Sequence, residues 1–134
     1  MSPNEFQADA ELTHLLVVRD LAAARDFYRD VVGAEVTREY AGTSAVLRLF
    51  GTWLLLVTGG GPTPDKPTVV FAPPDDVDRV SHEMTFRVRD CEAAYTELRR
   101  RGAVFLTPPV TSGAEIRCFF RDPDGHLLEL SQVR

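Results

Sequence analysis

The sequence predicts an α+β fold built from two tandem βαβββ modules. Three observations carry this reading: an internal repeat, one apolar helical stripe in each copy, and three short strand-like runs after each stripe. Val18-Arg19-Asp20 recurs as Val88-Arg89-Asp90, and Ala23-Ala24 recurs at the same offset as Ala93-Ala94. Gly33-Ala34 returns as Gly102-Ala103, one residue out of step. Two copies of a unit of roughly 50–60 residues are too few for a solenoid array.

Each copy opens on an apolar strand, Leu12 to Val18 and Met84 to Val88. Asp20 and Asp90 follow as N-caps, because a carboxylate can accept from the free N–H groups of a first helical turn. Leu21, Ala24, Phe27, Tyr28, Val31 and Val32 then share one stripe, as do Cys91, Ala94, Tyr95 and Leu98. This spacing predicts helices over 21–32 and 91–101, stopped by Gly33 and Gly102, where a left-handed backbone is cheap. Strand-like runs follow at Glu35–Tyr40, Ala45–Phe50 and Trp53–Val57, then at Ala103–Thr107, Glu115–Arg121 and His126–Ser131. Gly and Pro turns divide them. The chain is expected to be one domain, with module one about 10–58, a Gly-Pro linker at 59–67 and module two about 80–134. Thr68 to Ala72 is a candidate extra strand in the connection.

The 134 residues, 44% hydrophobic, suffice for one core. No apolar run approaches the roughly 20 residues of a membrane-spanning helix, and the polar Met1–Ala10 segment lacks the pattern of an export signal. A net charge of −5 argues against a nucleic-acid footprint. Two cysteines, Cys91 and Cys118, make neither a disulfide framework nor a zinc spacing. The expectation is a cytoplasmic protein that uses neither nucleic acid nor membrane.

Asp20-Leu21, Phe27-Tyr28 and Gly33, with Asp122-Pro123-Asp124-Gly125 and Glu129-Leu130 near the end, resemble the vicinal oxygen chelate superfamily. That group holds glyoxalase I, extradiol dioxygenases, fosfomycin-resistance enzymes and bleomycin-binding proteins. The resemblance spans nearly the whole chain but does not name a reaction, since one fold hosts many chemistries. It implies curved mixed sheets around a cavity and, in metal-dependent members, four ligand positions. Here those positions hold Thr13, Leu55, Glu83 and Glu129, so only the two glutamates could bind a divalent metal ion strongly. Two carboxylates suit Mg²⁺ or Mn²⁺; a protein with no metal is the other expectation.

Strand alternation assigns the remaining faces. Thr13, Leu15 and Val17 are expected toward the cavity, with Glu83, Thr85 and Arg87; His14 and His82 are expected on the opposite side. A bulge would turn His14 and His82 inward as metal ligands beside Glu129. Glu129, between Leu128 and Leu130, should face a polar cavity, since burial among apolar groups is costly. Facing Glu83, it should share a proton or a cation and could act as a general acid/base. Trp53 shares the parity of Leu55 and offers a flat wall for a planar ligand, or else packs in the core or at a dimer contact. Arg48 and Arg117 could clamp an anion, or lie on a solvated face.

Two functions follow as expectations. One is a metal-assisted lyase, isomerase or dioxygenase using Glu83 and Glu129; the other is a metal-free protein that sequesters a drug-like or planar metabolite. In either case a small molecule is the partner. A homodimer is expected, its pockets pairing the Trp53 wall with the Glu129 wall.

Overall fold

The computed structural model describes residues 1–134. Its two sheets have four strands each and repeat one topology. The first module contributes β1 (Thr13–Val18), β2 (Glu35–Tyr40), β3 (Ser44–Leu49) and β4 (Thr52–Thr58) in the order β1-β4-β3-β2. The second contributes β5 (Met84–Arg87), β6 (Val110–Ser112), β7 (Glu115–Arg121) and β8 (Leu127–Val133) in the order β5-β8-β7-β6. In both, the first strand runs parallel to the last and all other pairs are antiparallel. Neither sheet closes on itself.

Three helices accompany the sheets. A short exposed helix, α1 (Pro3–Asp9), precedes β1 and starts with a reciprocal cap between Ser2 and Glu5. The sequence reading had no element there. The helix α2 (Leu21–Phe27) starts at the Asp20 side chain and continues into a widened π-helical turn, Tyr28–Val32. That turn carries Tyr28, Val31 and Val32 into the core and stops at Gly33, with φ 96°. The helix α3 (Cys91–Arg100) is capped by Asp90 in the same way.

Alternation along the strands places Leu16 and Val18 of β1, Leu54 and Leu56 of β4, and Leu128 and Leu130 of β8 in one buried cluster. The same cluster takes Ala24, Tyr28, Phe86 and Phe120, so the modules share a core.

Two expected strands are corrected. Ala103–Thr107 makes only an isolated bridge, Phe105 to Phe120, and Pro108-Pro109 then removes two N–H donors. Pairing resumes beyond the prolines at β6, which becomes the edge strand. Thr68–Ala72 is likewise not a strand; Phe71 bridges Gly60 and nothing more.

The Asp122-Pro123-Asp124-Gly125 turn between β7 and β8 holds the modules together. Tyr28 Oη donates to buried Asp122 Oδ2 at 2.7 Å. Asp122 Oδ1 accepts the backbone N–H groups of Asp124 and His126, both at 2.9 Å, closing its own turn. Asp124 Oδ1 accepts the Arg19 backbone N–H at 2.7 Å, and His126 Nε2 lies 2.8 Å from the Val17 carbonyl. Gly125 is required here: its φ is 92°, and a Cβ would lie 2.3 Å from Val77.

Candidate functional site

A cleft of about 480 Å³ opens between the modules. One wall is apolar and comes from the first module: Leu12, Leu49, Phe50, Trp53 and Leu54, with His14 at its side. The other comes from β5 and the residue before it: Glu83, Met84, Thr85, Phe86 and Arg87. Trp53 is held from two directions. The Arg48 guanidinium sits 4.2 Å from its ring centroid, and its indole N–H donates to Glu11 at 2.7 Å. Phe50 stacks edge-on against Phe86 with centroids 5.1 Å apart. It does so from φ 50° in the two-residue β3–β4 turn, a backbone region that costs a bulky side chain.

Beneath the polar wall lies a carboxyl–hydroxyl–carboxyl chain. Thr85 Oγ1 is 2.6 Å from Glu83 Oε1 and 3.0 Å from Glu129 Oε1. A threonine hydroxyl has one hydrogen to donate. It can serve one carboxylate, and the second contact then needs a proton on the other carboxyl. Glu129 is 8% exposed, opposite Thr85 on β5 and Phe119 on β7. Burial raises its pKa, the neighbouring Glu83 charge adds to the rise, and the Thr85 hydrogen bond opposes it. Thr85 therefore bridges the two carboxyl groups, donating to one and able to accept from the other when that one carries a proton. The second oxygen of Glu83, Oε2, is buried without a partner.

The other residues singled out from the sequence are distributed as follows. Thr13 is exposed and pairs with Trp53; Leu55 is half-buried between Leu15 and Val46. Neither lines the cleft. Arg48 reaches its edge only through Trp53. Arg117 lies apart, 3.2 Å from Glu115 and packed on Phe119. His14 and His82 meet, Nε2 to Nε2 at 2.6 Å. β1 keeps an unbroken register through residues 13–18, so no bulge turns His14 over. The histidines and the Glu83–Glu129 pair stay separate, since no three His, Cys, Asp or Glu side chains gather as one ligand group. The sequence gives no signal for Phe50 or Glu11 at the site, and it places Thr85 on the cavity face beside Glu83 without a role.

The donor set does not fit a metal in the positions that the resemblance implies. Leu55 has no donor atom and Thr13 offers only a neutral hydroxyl. The remaining glutamates are engaged with each other through Thr85.

The sequence matches the Glyoxalase/Bleomycin resistance protein/Dioxygenase superfamily over residues 11–130. No curated protein matches it. Among solved structures, it is similar to a glyoxalase/bleomycin resistance protein/dioxygenase from Nocardioides, at 22% identity and TM-score 0.74, covering 97% of this chain and 91% of that one. It is similar to TnmS3, an antibiotic binding protein from Streptomyces, at 22% identity and TM-score 0.67, covering 94% and 97%. It is also similar to the fosfomycin resistance protein FosX from Listeria monocytogenes, at 18% identity and TM-score 0.68, covering 94% of each. A variant of FosX has been crystallised with Mn(II). At these identities the likeness is one of fold.

Proposed function

This chain belongs to the Glyoxalase/Bleomycin resistance protein/Dioxygenase superfamily, and from that premise we propose that it captures a small planar organic molecule in the cleft between its modules. It does so without a metal at the family's ligand positions. The observation that carries this reading is the composition of the cleft: an aromatic and aliphatic wall holding Trp53 and Phe50, opposite a polar wall with Glu83 and Thr85. A few convergent polar groups against apolar surface are what a drug-sized ligand needs, and about 480 Å³ lies within the usual range. The Glu83 carboxylate, the one acidic group lining the cleft, sets the polarity of the guest. The favoured ligand is flat and mostly apolar, and turns a hydrogen-bond donor or a positive charge toward Glu83.

Trp53 is the only tryptophan, so its emission reports on the cleft alone. Titration with planar heteroaromatic cations, and with anions of the same shape, should give saturable quenching that favours the cations. By calorimetry, Phe50→Ala and Glu83→Gln should each weaken binding about tenfold. A panel with no saturable ligand, or one that prefers anions, refutes the reading.

The Glu129–Thr85–Glu83 chain supports a second reading, metal-free proton transfer on the bound molecule. Mass analysis of ligand recovered from the same titrations decides between them. Turnover that disappears in Glu129→Gln while binding persists favours catalysis.

The reading extends to assembly and location. Leu15 and Tyr40 on the first sheet, with Val110 and Val133 on the second, leave apolar surface that a second copy would cover. Sedimentation should show a species near twice 14.9 kDa. The free thiols of Cys91 and Cys118 suit a reducing compartment such as the cytoplasm.

A further inference from the structure

We propose that His14 and His82 together form a two-imidazole binding site for a divalent transition ion such as Zn²⁺, Ni²⁺, Co²⁺ or Cu²⁺, spanning the two modules beside the cleft. The two rings come from positions 68 residues apart, yet their Nε2 atoms lie 2.6 Å from one another. The rings are tilted by 40° rather than stacked flat, with centroids 4.7 Å apart, so the nitrogens and not the ring faces converge. Two Nε2 atoms at that distance share a single hydrogen, and an ion bound by both replaces it. Imidazole nitrogens bind such ions at about 2.0–2.1 Å, and a tetrahedral angle between them needs the nitrogens roughly 3.4 Å apart. The pair must therefore open by about 0.8 Å, within reach of side-chain torsions, because His82 is exposed and precedes β5.

This site differs from the one that the resemblance assigns. Thr13 and Glu83 occupy those positions, whereas His14 and His82 lie one residue along, and His14 is on the face of Leu16 and Val18. Its ligand chemistry differs too: two neutral nitrogens select borderline ions over Mg²⁺ or Ca²⁺. No third His, Cys, Asp or Glu joins the pair, so water fills the other coordination positions. His14 also borders the cleft, which places those positions within reach of an oxygen or nitrogen donor on a bound molecule. The ion would act as a clasp between modules and as an adjustable contact for the ligand.

The test uses the untagged full chain, stripped of metal and titrated with Co²⁺ alone and with Zn²⁺ against a chromophoric competitor. One ion per chain is expected. His82→Asn and His14→Asn should each weaken binding at least tenfold, while Glu129→Gln should leave it within threefold. Should His14→Asn fail to fold, the native chain still decides, because Zn²⁺ must move the Nε2 resonances of both histidines in ¹⁵N NMR. The proposal is overturned if binding survives both histidine substitutions, if its loss follows Glu129→Gln instead, if no ion binds, or if those resonances stay in place. Ligand capture is read separately from Trp53 emission in metal-free buffer, so either proposal can fail alone.

Discussion

Replacing Tyr28 with phenylalanine removes one atom from the most buried polar contact between the modules. Tyr28 is fully buried, and its hydroxyl is the side-chain donor to Asp122 Oδ2. Asp122 is 5% exposed, so water cannot readily replace that donor. The two backbone N–H groups on Oδ1 remain and keep the turn closed. What is lost is one charge-assisted hydrogen bond, with one carboxylate oxygen left unpaired. Contacts of this kind contribute about 1.5–3 kcal/mol, so Tyr28→Phe should destabilise the chain by about 2 kcal/mol. With an unfolding entropy near 2.1 cal/mol/K per residue, that loss lowers Tm by about 7 °C. Urea unfolding should show a lower midpoint with an unchanged slope. The exposed Tyr40 hydroxyl, 3.3 Å from Arg38, supplies the control; Tyr40→Phe should cost less than about 0.5 kcal/mol. In a double-mutant cycle with Asp122→Ala, the two losses should fall short of additive by most of the Tyr28 effect. A Tyr28→Phe protein as stable as Tyr40→Phe, or an additive cycle, would refute this account.

Three further outcomes follow from the same geometry. The pKa of Glu129 is raised, so the native state binds its proton more tightly than the unfolded chain does. That advantage is fully present below the ordinary carboxyl value of 4.5 and is lost as pH rises through the raised native value. Glu129→Gln should therefore gain on the native protein between pH 4 and 7, by about 1 kcal/mol in urea midpoints, and a flat difference would contradict it. Cys91 and Cys118 are buried 3.8 Å apart, and burial raises both thiols, Cys118 to about 12. Neither should react with a thiol reagent at pH 8 until urea unfolds the chain, and rapid labelling of the native protein would show that the core opens. Phe50→Asn should relieve left-handed strain but lose the edge contact with Phe86, leaving stability within about 1 kcal/mol. Its ligand affinity should nevertheless fall, as the Trp53 titration would report.

The repeat made the architecture legible because each module states its pattern twice. Asp20 and Asp90 cap their helices, and the alternate positions Leu16, Val18, Leu54, Leu56, Leu128 and Leu130 are buried in the core. The cleft, however, takes His14 and not Thr13, Leu15 or Leu55. The edge strand was misplaced because Ala103–Thr107 has the right apolar character. Pairing depends on an available partner and donors, which Pro108-Pro109 interrupt. The helix α1 had a visible signal in Ser2-Pro3-Asn4-Glu5, but its polar surface gives no stripe. At the site, alternation grouped Glu83, Thr85 and Glu129 on one face, where Thr85 links them, but it also set Glu129 toward the cavity, and Glu129 does not line the cleft. Alternation could not bring Trp53 beside Glu83, because that depends on how one module docks on the other. Nor could it foresee the His14–His82 contact, which joins two strand starts across the same junction.

The turn at residues 122–126 gives the duplication a direction. Its counterpart in the first module is the two-residue turn Phe50-Gly51, which has no aspartate and makes no such bonds to the other half. The two copies are thus alike in topology but divided in labour. The first supplies sockets, at Tyr28, Val17 and Arg19, and the second supplies the plug. A chain assembled from two first modules would have sockets with nothing to fill them, and one of two second modules would carry plugs with nowhere to go. With labour divided in this way the halves are not interchangeable, and it matters which module comes first.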